Sequence, residues 1–167
     1  MGMKNDAVYD TLTAFALPAW NEIPDVGLYL DQVTKYLNGY LDAYELGVTP
    51  SMISNYVKLK IISREGKKIY SRERIAALFF VAVSKTVLSM DQIRECLLMR
   101  EATCSAEQGY TSFVRELKDR LANYERYTPP KEPDTEGREM LRKVTAAIAY
   151  KMYLDTYFRL QYHETGD

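Results

Sequence analysis

Residues 75–83 read IAALFFVAV, nine apolar residues in a row. A helix built from that run is apolar on every side and has to be surrounded by other elements rather than laid on a surface. The run is far short of the roughly 20 residues that cross a bilayer, so it points to a buried core helix and not to a membrane span. With 167 residues in all, the chain has the length of about one domain. One mostly α-helical unit wrapped around this segment is the expectation, with appendages at either end.

Start signals for the surrounding helices are plain. Ser71 stands just before the apolar run as an N-cap, and SMDQ at 89–92 and SAEQ at 105–108 both fit the capping box. The second of these helices should end near Tyr127, before the proline-rich YTPPKEPDTEG. A last helix is expected over about Arg138 to Tyr162. Upstream, residues 6–17 carry a weak helical stripe that stops at Pro18. PAWNEIPDV reads as a rigid connector, because a proline pushes the residue before it toward extended geometry. Leu30, Val33, Leu37 and Leu41 recur at helical spacing, and Gly47 is the expected C-terminal cap of that helix. These signals divide the chain into an N-terminal helix and connector (1–22), a central helical domain (23–127), a proline-rich linker (128–137) and a C-terminal helix (138–167).

The segment between the second helix and the apolar run carries the functional signal. Thr49 followed by Pro50 is a helix start, since the hydroxyl can accept from exposed amides and proline at the first position gives up none. The helix runs from Pro50 to about Lys58. Ile53 and Val57, with Met52 and Tyr56, face inward, while Ser51, Ser54, Asn55 and Lys58 share the outer side at spacings of three and four. After it, Ile61–Ser63 and Lys68–Tyr70 are β-prone pieces around a turn containing Gly66, and are expected to pair as a two-stranded ribbon. A preceding helix packed across a short polar one is the arrangement of a helix-turn-helix, whose second helix enters a major groove and whose ribbon acts as a wing.

Charge supports this locally. The chain as a whole has net charge -1 and a sequence pI of about 5.9, which gives no overall attraction to nucleic acid or to anionic lipid. Residues 51–74, however, hold seven basic side chains (Lys58, Lys60, Arg64, Lys67, Lys68, Arg72 and Arg74) against Glu65 and Glu73, a net of +5 that leaves -6 on the remainder. An acidic body with one basic edge fits the phosphate backbone of double-stranded DNA. Thr49, Ser51, Ser54, Asn55, Lys58, Lys60, Arg64, Lys67, Lys68 and Arg72 are therefore the expected DNA-binding residues.

Motif order narrows the reading. GVTPSMISNYVKLKII, a basic turn, IYS and then an apolar helix resemble the winged helix-turn-helix of MerR-type regulators, with Gly47, Val48, Thr49, Ile53, Tyr56, Ile61, Ile62, Tyr70, Ser71, Ile75 and Leu78 at matching places over roughly 30 residues. Where MerR-type recognition helices carry an arginine followed by two aromatics, this chain has Ser54, Asn55 and Tyr56. The combination of IPDVGLYLDQV, MISNYVK, KKIYSRERIA and LSMDQI is similar to the bacterial family catalogued as domain of unknown function 1836, over about residues 20–125. The resemblance implies a mostly α fold, with a MerR-like winged helix-turn-helix, a small two-stranded β wing and additional C-terminal helices. It also implies a transcriptional regulator that binds DNA. The alternative is a helical protein-interaction module whose helix-turn-helix no longer reads DNA.

Catalysis has little support. GxxxxGK and GxGxxG are absent, the single histidine is His163 near the C-terminus, and Cys96 and Cys104 form no CxxC. No enzyme activity, metal or cofactor is expected, and Asp25, Asp31, Asp42 and Glu45 read as a solvated face. The MGMKND start is no signal peptide, and Asp6 breaks the myristoylation pattern, so a cytoplasmic protein without a membrane partner is expected. Nothing in the pattern names a small-molecule effector. In the last helix, Leu141, Val144, Ile148 and Met152 form one stripe, while Ala146, Tyr150, Tyr153, Tyr157 and Leu160 form another. Two apolar faces need two surfaces: either both pack within the chain, against the helix that starts at Ser105 and the core helix, or one meets a second chain, and a homodimer through Tyr150, Tyr153, Tyr157 and Leu160 is the expectation.

Overall fold

The computed structural model describes residues 3–63, 68–123, 128, 131 and 135–164. Seven helices appear among them: α1 (Met3–Thr13), α2 (Leu30–Leu41), α3 (Pro50–Lys58), α4 (Arg72–Ser84), α5 (Met90–Thr103), α6 (Ala106–Ala122) and α7 (Glu136–Glu164). The caps sit where the sequence puts them. Ser71 Oγ accepts from the Arg74 amide, and at Ser89 and Ser105 the hydroxyl and the glutamine three residues on satisfy each other's backbone N–H groups at 2.9–3.2 Å.

Helix α4 is the hub. Ile75, Ala76, Leu78, Phe79, Val81, Ala82 and Val83 are all buried, and α4 packs on α2, α5, α6 and α7. Phe79 sits inside a ring of tyrosines, with Tyr40 at 5.7 Å, Tyr36 at 6.0 Å and Tyr110 at 6.3 Å between ring centroids. The tyrosine-rich composition is spent here: rings fill the core edge while hydroxyls tie down connectors. Tyr110 donates to Pro18 O at 2.7 Å and Tyr44 to Thr11 O at 3.2 Å. Burial raises the Tyr110 phenol far above its ordinary value, so the ring enters this core only as the neutral donor. The long α7 lies against α1 and α6 and closes the other side of the bundle.

Among the described residues the two-stranded wing is not seen; its expected turn at Gly66 lies outside them. Among the described residues no strand forms, and the one isolated bridge pairs Tyr70 with Leu28, through Leu28 N–H to Tyr70 O at 3.0 Å and Tyr70 N–H to Leu28 O at 2.7 Å. On the other side, the Ile61 and Ile62 amides both return to Tyr56 O, at 2.9 and 3.3 Å, as the closing turn of α3, and both side chains plug the core. Residues 61 and 62 donate to a helix, and residue 70 is bonded to the connector before α2. The two pieces therefore have no shared ladder. Gly27 permits the Leu28–Tyr70 contact, because a Cβ there would stand 2.9 Å from the Ile69 side chain.

The expected glycine cap of α2 also moves. The helix continues into a 3-10 turn, Asp42–Tyr44, and the left-handed residue that ends it is Glu45 (φ 57°), with Leu46 N–H returning to Leu41 O at 3.1 Å. No described helix is long and apolar enough to cross a membrane.

Candidate nucleic-acid interface

Helices α2 and α3 pack together, joined by residues 42–49. Asn38 of α2 ties the connection back to the helix it leaves. Its side-chain amide donates to Val48 O and its Oδ1 accepts from Val48 N–H, both at 2.8 Å. One planar amide thus reads both polar groups of one backbone unit, as a strand neighbour would. The assignment of O and N is fixed, because Val48 N–H can only donate. Thr49 follows, its Oγ accepting from the Met52 amide at 3.2 Å, and Pro50 takes the first helical position.

Along α3, Ile53 and Tyr56 are buried, with Met52 and Val57 half-buried. Burial lifts the Tyr56 phenol above its ordinary value, so this ring is a neutral packing group. Ser51, Ser54, Asn55 and Lys58 are all exposed, as the helical spacing predicts. The end of the helix is braced from outside: Arg94 of α5 donates to Leu59 O at 2.7 Å and is paired with Asp91 at 2.7 Å. This brace joins residues 35 apart, so local patterns do not reveal it.

Lys60 is exposed and left-handed (φ 58°). Its N–H reaches Val57 O at 3.0 Å while Ile61 N–H reaches Tyr56 O at 2.9 Å, the two bonds of a Schellman turn. A lysine where glycine is favoured costs conformational energy. Lys60→Gly should therefore raise unfolding stability by about 1 kcal/mol, read by urea denaturation, while lowering DNA affinity through the lost cation if Lys60 is the phosphate contact the sequence leads one to expect. Opposite signs from one substitution separate a contact residue from a folding residue.

The other expected DNA contacts divide. Lys68 is exposed. Arg72 is half-buried, with Nε donating to Ile23 O at 2.9 Å and its guanidinium 5.8 Å from the Trp20 ring centroid, so it anchors the 19–23 connector. Arg74, part of the basic edge but not one of the expected contacts, donates to Ile69 O at 3.0 Å. Arg64 and Lys67 lie outside the described residues. Of the four residues expected at a dimer contact, Tyr150 is exposed, whereas Tyr153, Tyr157 and Leu160 are half-buried against the core, Tyr153 beside Tyr9 of α1 at 5.9 Å.

The model of a family described as Domain of unknown function (DUF1836) matches residues 18–116. The chain belongs to that family. In this DUF1836 member the match runs from the connector before α2 into α6, and so takes in α3, its clamp at Asn38 and its brace at Arg94, while α1 and α7 lie outside it. No curated protein and no solved structure matches the chain.

Proposed function

We propose that this DUF1836 member is a cytoplasmic transcriptional regulator that binds double-stranded DNA through α2 and α3, with α3 as the recognition helix. The observation that carries the reading is the division of α3 itself. Its inward side is fixed by Ile53 and Tyr56, its start by the Asn38 clamp and its end by Arg94, which leaves Ser51, Ser54, Asn55 and Lys58 facing solvent on a held helix. Asn55 offers the donor and acceptor that one adenine edge needs, the serines offer single bonds, and Lys58, Lys60 and Lys68 suit phosphates. A homodimer would present two such helices to paired half-sites. A helical interaction module remains the second reading, favoured by Arg72, which is engaged with Ile23 and Trp20 rather than turned to solvent.

Selection of bound fragments followed by titration tests the first reading. Asn55→Ala should cost about 1–3 kcal/mol on a selected site and relax one base position, with non-specific binding nearly intact. Lys58→Ala should weaken specific and non-specific binding alike and lower the salt slope by about one unit. If Asn55→Ala leaves affinity for the selected site unchanged, or weakens all sequences equally, α3 is not the reading helix.

A further inference from the structure

Helix α7 buries Val144, Ile148, Ala149 and Met152 against the bundle and turns the opposite side to solvent. On that outer side large apolar residues recur every four positions: Tyr150 is 59% exposed, Leu154 48%, Phe158 48% and Tyr162 72%. At about 100° per residue, Tyr150 and Phe158 lie about 40° to either side of Leu154. An antiparallel two-fold contact centred on Leu154 would set Tyr150 of one helix level with Phe158 of the other, aromatic against aromatic.

We propose that this face binds a second copy of the chain, with the two α7 helices antiparallel and crossing at Leu154. Leu154 then meets Leu154 of the partner subunit, and Tyr150 meets the partner's Phe158. The charges agree. Lys151 and Asp155, ion-paired to each other within one helix, lie on one rim of the stripe. The two-fold operation brings each beside its opposite on the partner, at levels about 3 Å apart along the axis. Both rim charges are thereby satisfied across the contact as well as within it. The exposed parts of the four large side chains come to roughly 400–500 Å², at about 150–250 Å² for a whole aromatic side chain. A standard interface takes about 800 Å² from each partner, so the dimer is a small, transient one. The inference is independent of DNA binding.

Sedimentation velocity on the full chain over a range of concentrations, with Leu154→Glu beside it, is the first arm. The expected result is a reversible dimer whose dissociation constant rises by at least about tenfold in Leu154→Glu, while the circular dichroism spectrum and melting curve of this exposed-site variant stay unchanged. The second arm is disulfide trapping, with Cys96 and Cys104 kept in every variant and the unsubstituted chain as control. Leu154→Cys should cross-link with itself, and Tyr150→Cys should cross-link with Phe158→Cys when the two are mixed but not with itself. A monomer at the highest concentration, a dimer indifferent to Leu154→Glu, or self-cross-linking of Tyr150→Cys, which a parallel pair would give, overturns the proposal.

Discussion

Phe79→Ala is expected to lower the unfolding free energy by about 3–5 kcal/mol, the largest single-site effect in this protein. Phe79 is fully buried at the centre of α4, with three tyrosine rings about it. Truncation removes the apolar transfer of the ring and leaves a cavity whose walls are pinned. Tyr110 is held by its bond to Pro18 O, and Tyr36 by one to Glu22 O at 3.3 Å, so the surroundings cannot collapse inward. Equilibrium urea denaturation followed by tyrosine fluorescence and far-ultraviolet circular dichroism measures the loss. Phe79→Leu, which fills most of the space, should lose less than half as much. A loss below 1 kcal/mol for alanine would mean that α4 is not the hub.

Asn38→Ala is expected to destabilise the fold by about 2–4 kcal/mol, although it deletes only a half-buried side chain. Both polar groups of Val48, a residue whose own side chain is buried, lose their partner together, and an unsatisfied buried group costs about 1–3 kcal/mol. Asn38→Asp separates the two bonds. Its carboxylate still accepts from Val48 N–H but repels Val48 O, which raises the folded pKa of that carboxyl above the usual carboxylate value. Protonation restores the donor, so the deficit of Asn38→Asp should shrink as pH falls through that raised value, whereas the deficit of Asn38→Ala should not. Denaturation midpoints at pH 7 and pH 4.5 measure the difference. On the proposed DNA-binding reading, in which Asn38 holds the residue two before the start of α3, DNA affinity should fall in both variants at neutral pH.

Local signals in the sequence carried the helix starts. Thr49–Pro50, Ser71, Ser89 and Ser105 each act within three residues, and all four caps form where the spacing predicts. The inward and outward sides of α3 were legible for the same reason. The ribbon was not. Ile61 and Ile62 have β-prone side chains, but their amides close the α3 turn, and the partner of Tyr70 is Leu28, 42 positions earlier, a pairing that propensity cannot see. Likewise Gly47 looked like the natural cap after α2, while the left-handed residue is Glu45, at the end of a 3-10 turn that carries the chain on past the helix. On α7 the two apolar faces were readable from periodicity, yet the Tyr153–Tyr157–Leu160 side lies toward the core. The weak stripe of α1 concealed that Tyr9 would pack beside Tyr153.

The measurement that bears most directly on the DNA-binding reading is the salt dependence of the affinity of the 167-residue chain for mixed genomic duplex DNA. A groove-reading helix that carries Lys58, with Lys60 just past its end, predicts measurable binding at low salt. The logarithm of the affinity should fall linearly with the logarithm of salt concentration, by about 0.9 per phosphate neutralised, with discrete sequences enriched among the bound fragments. Absence of binding at low salt, or binding that enriches no sequence, would contradict the account and leave the α2–α3 unit as an interaction module.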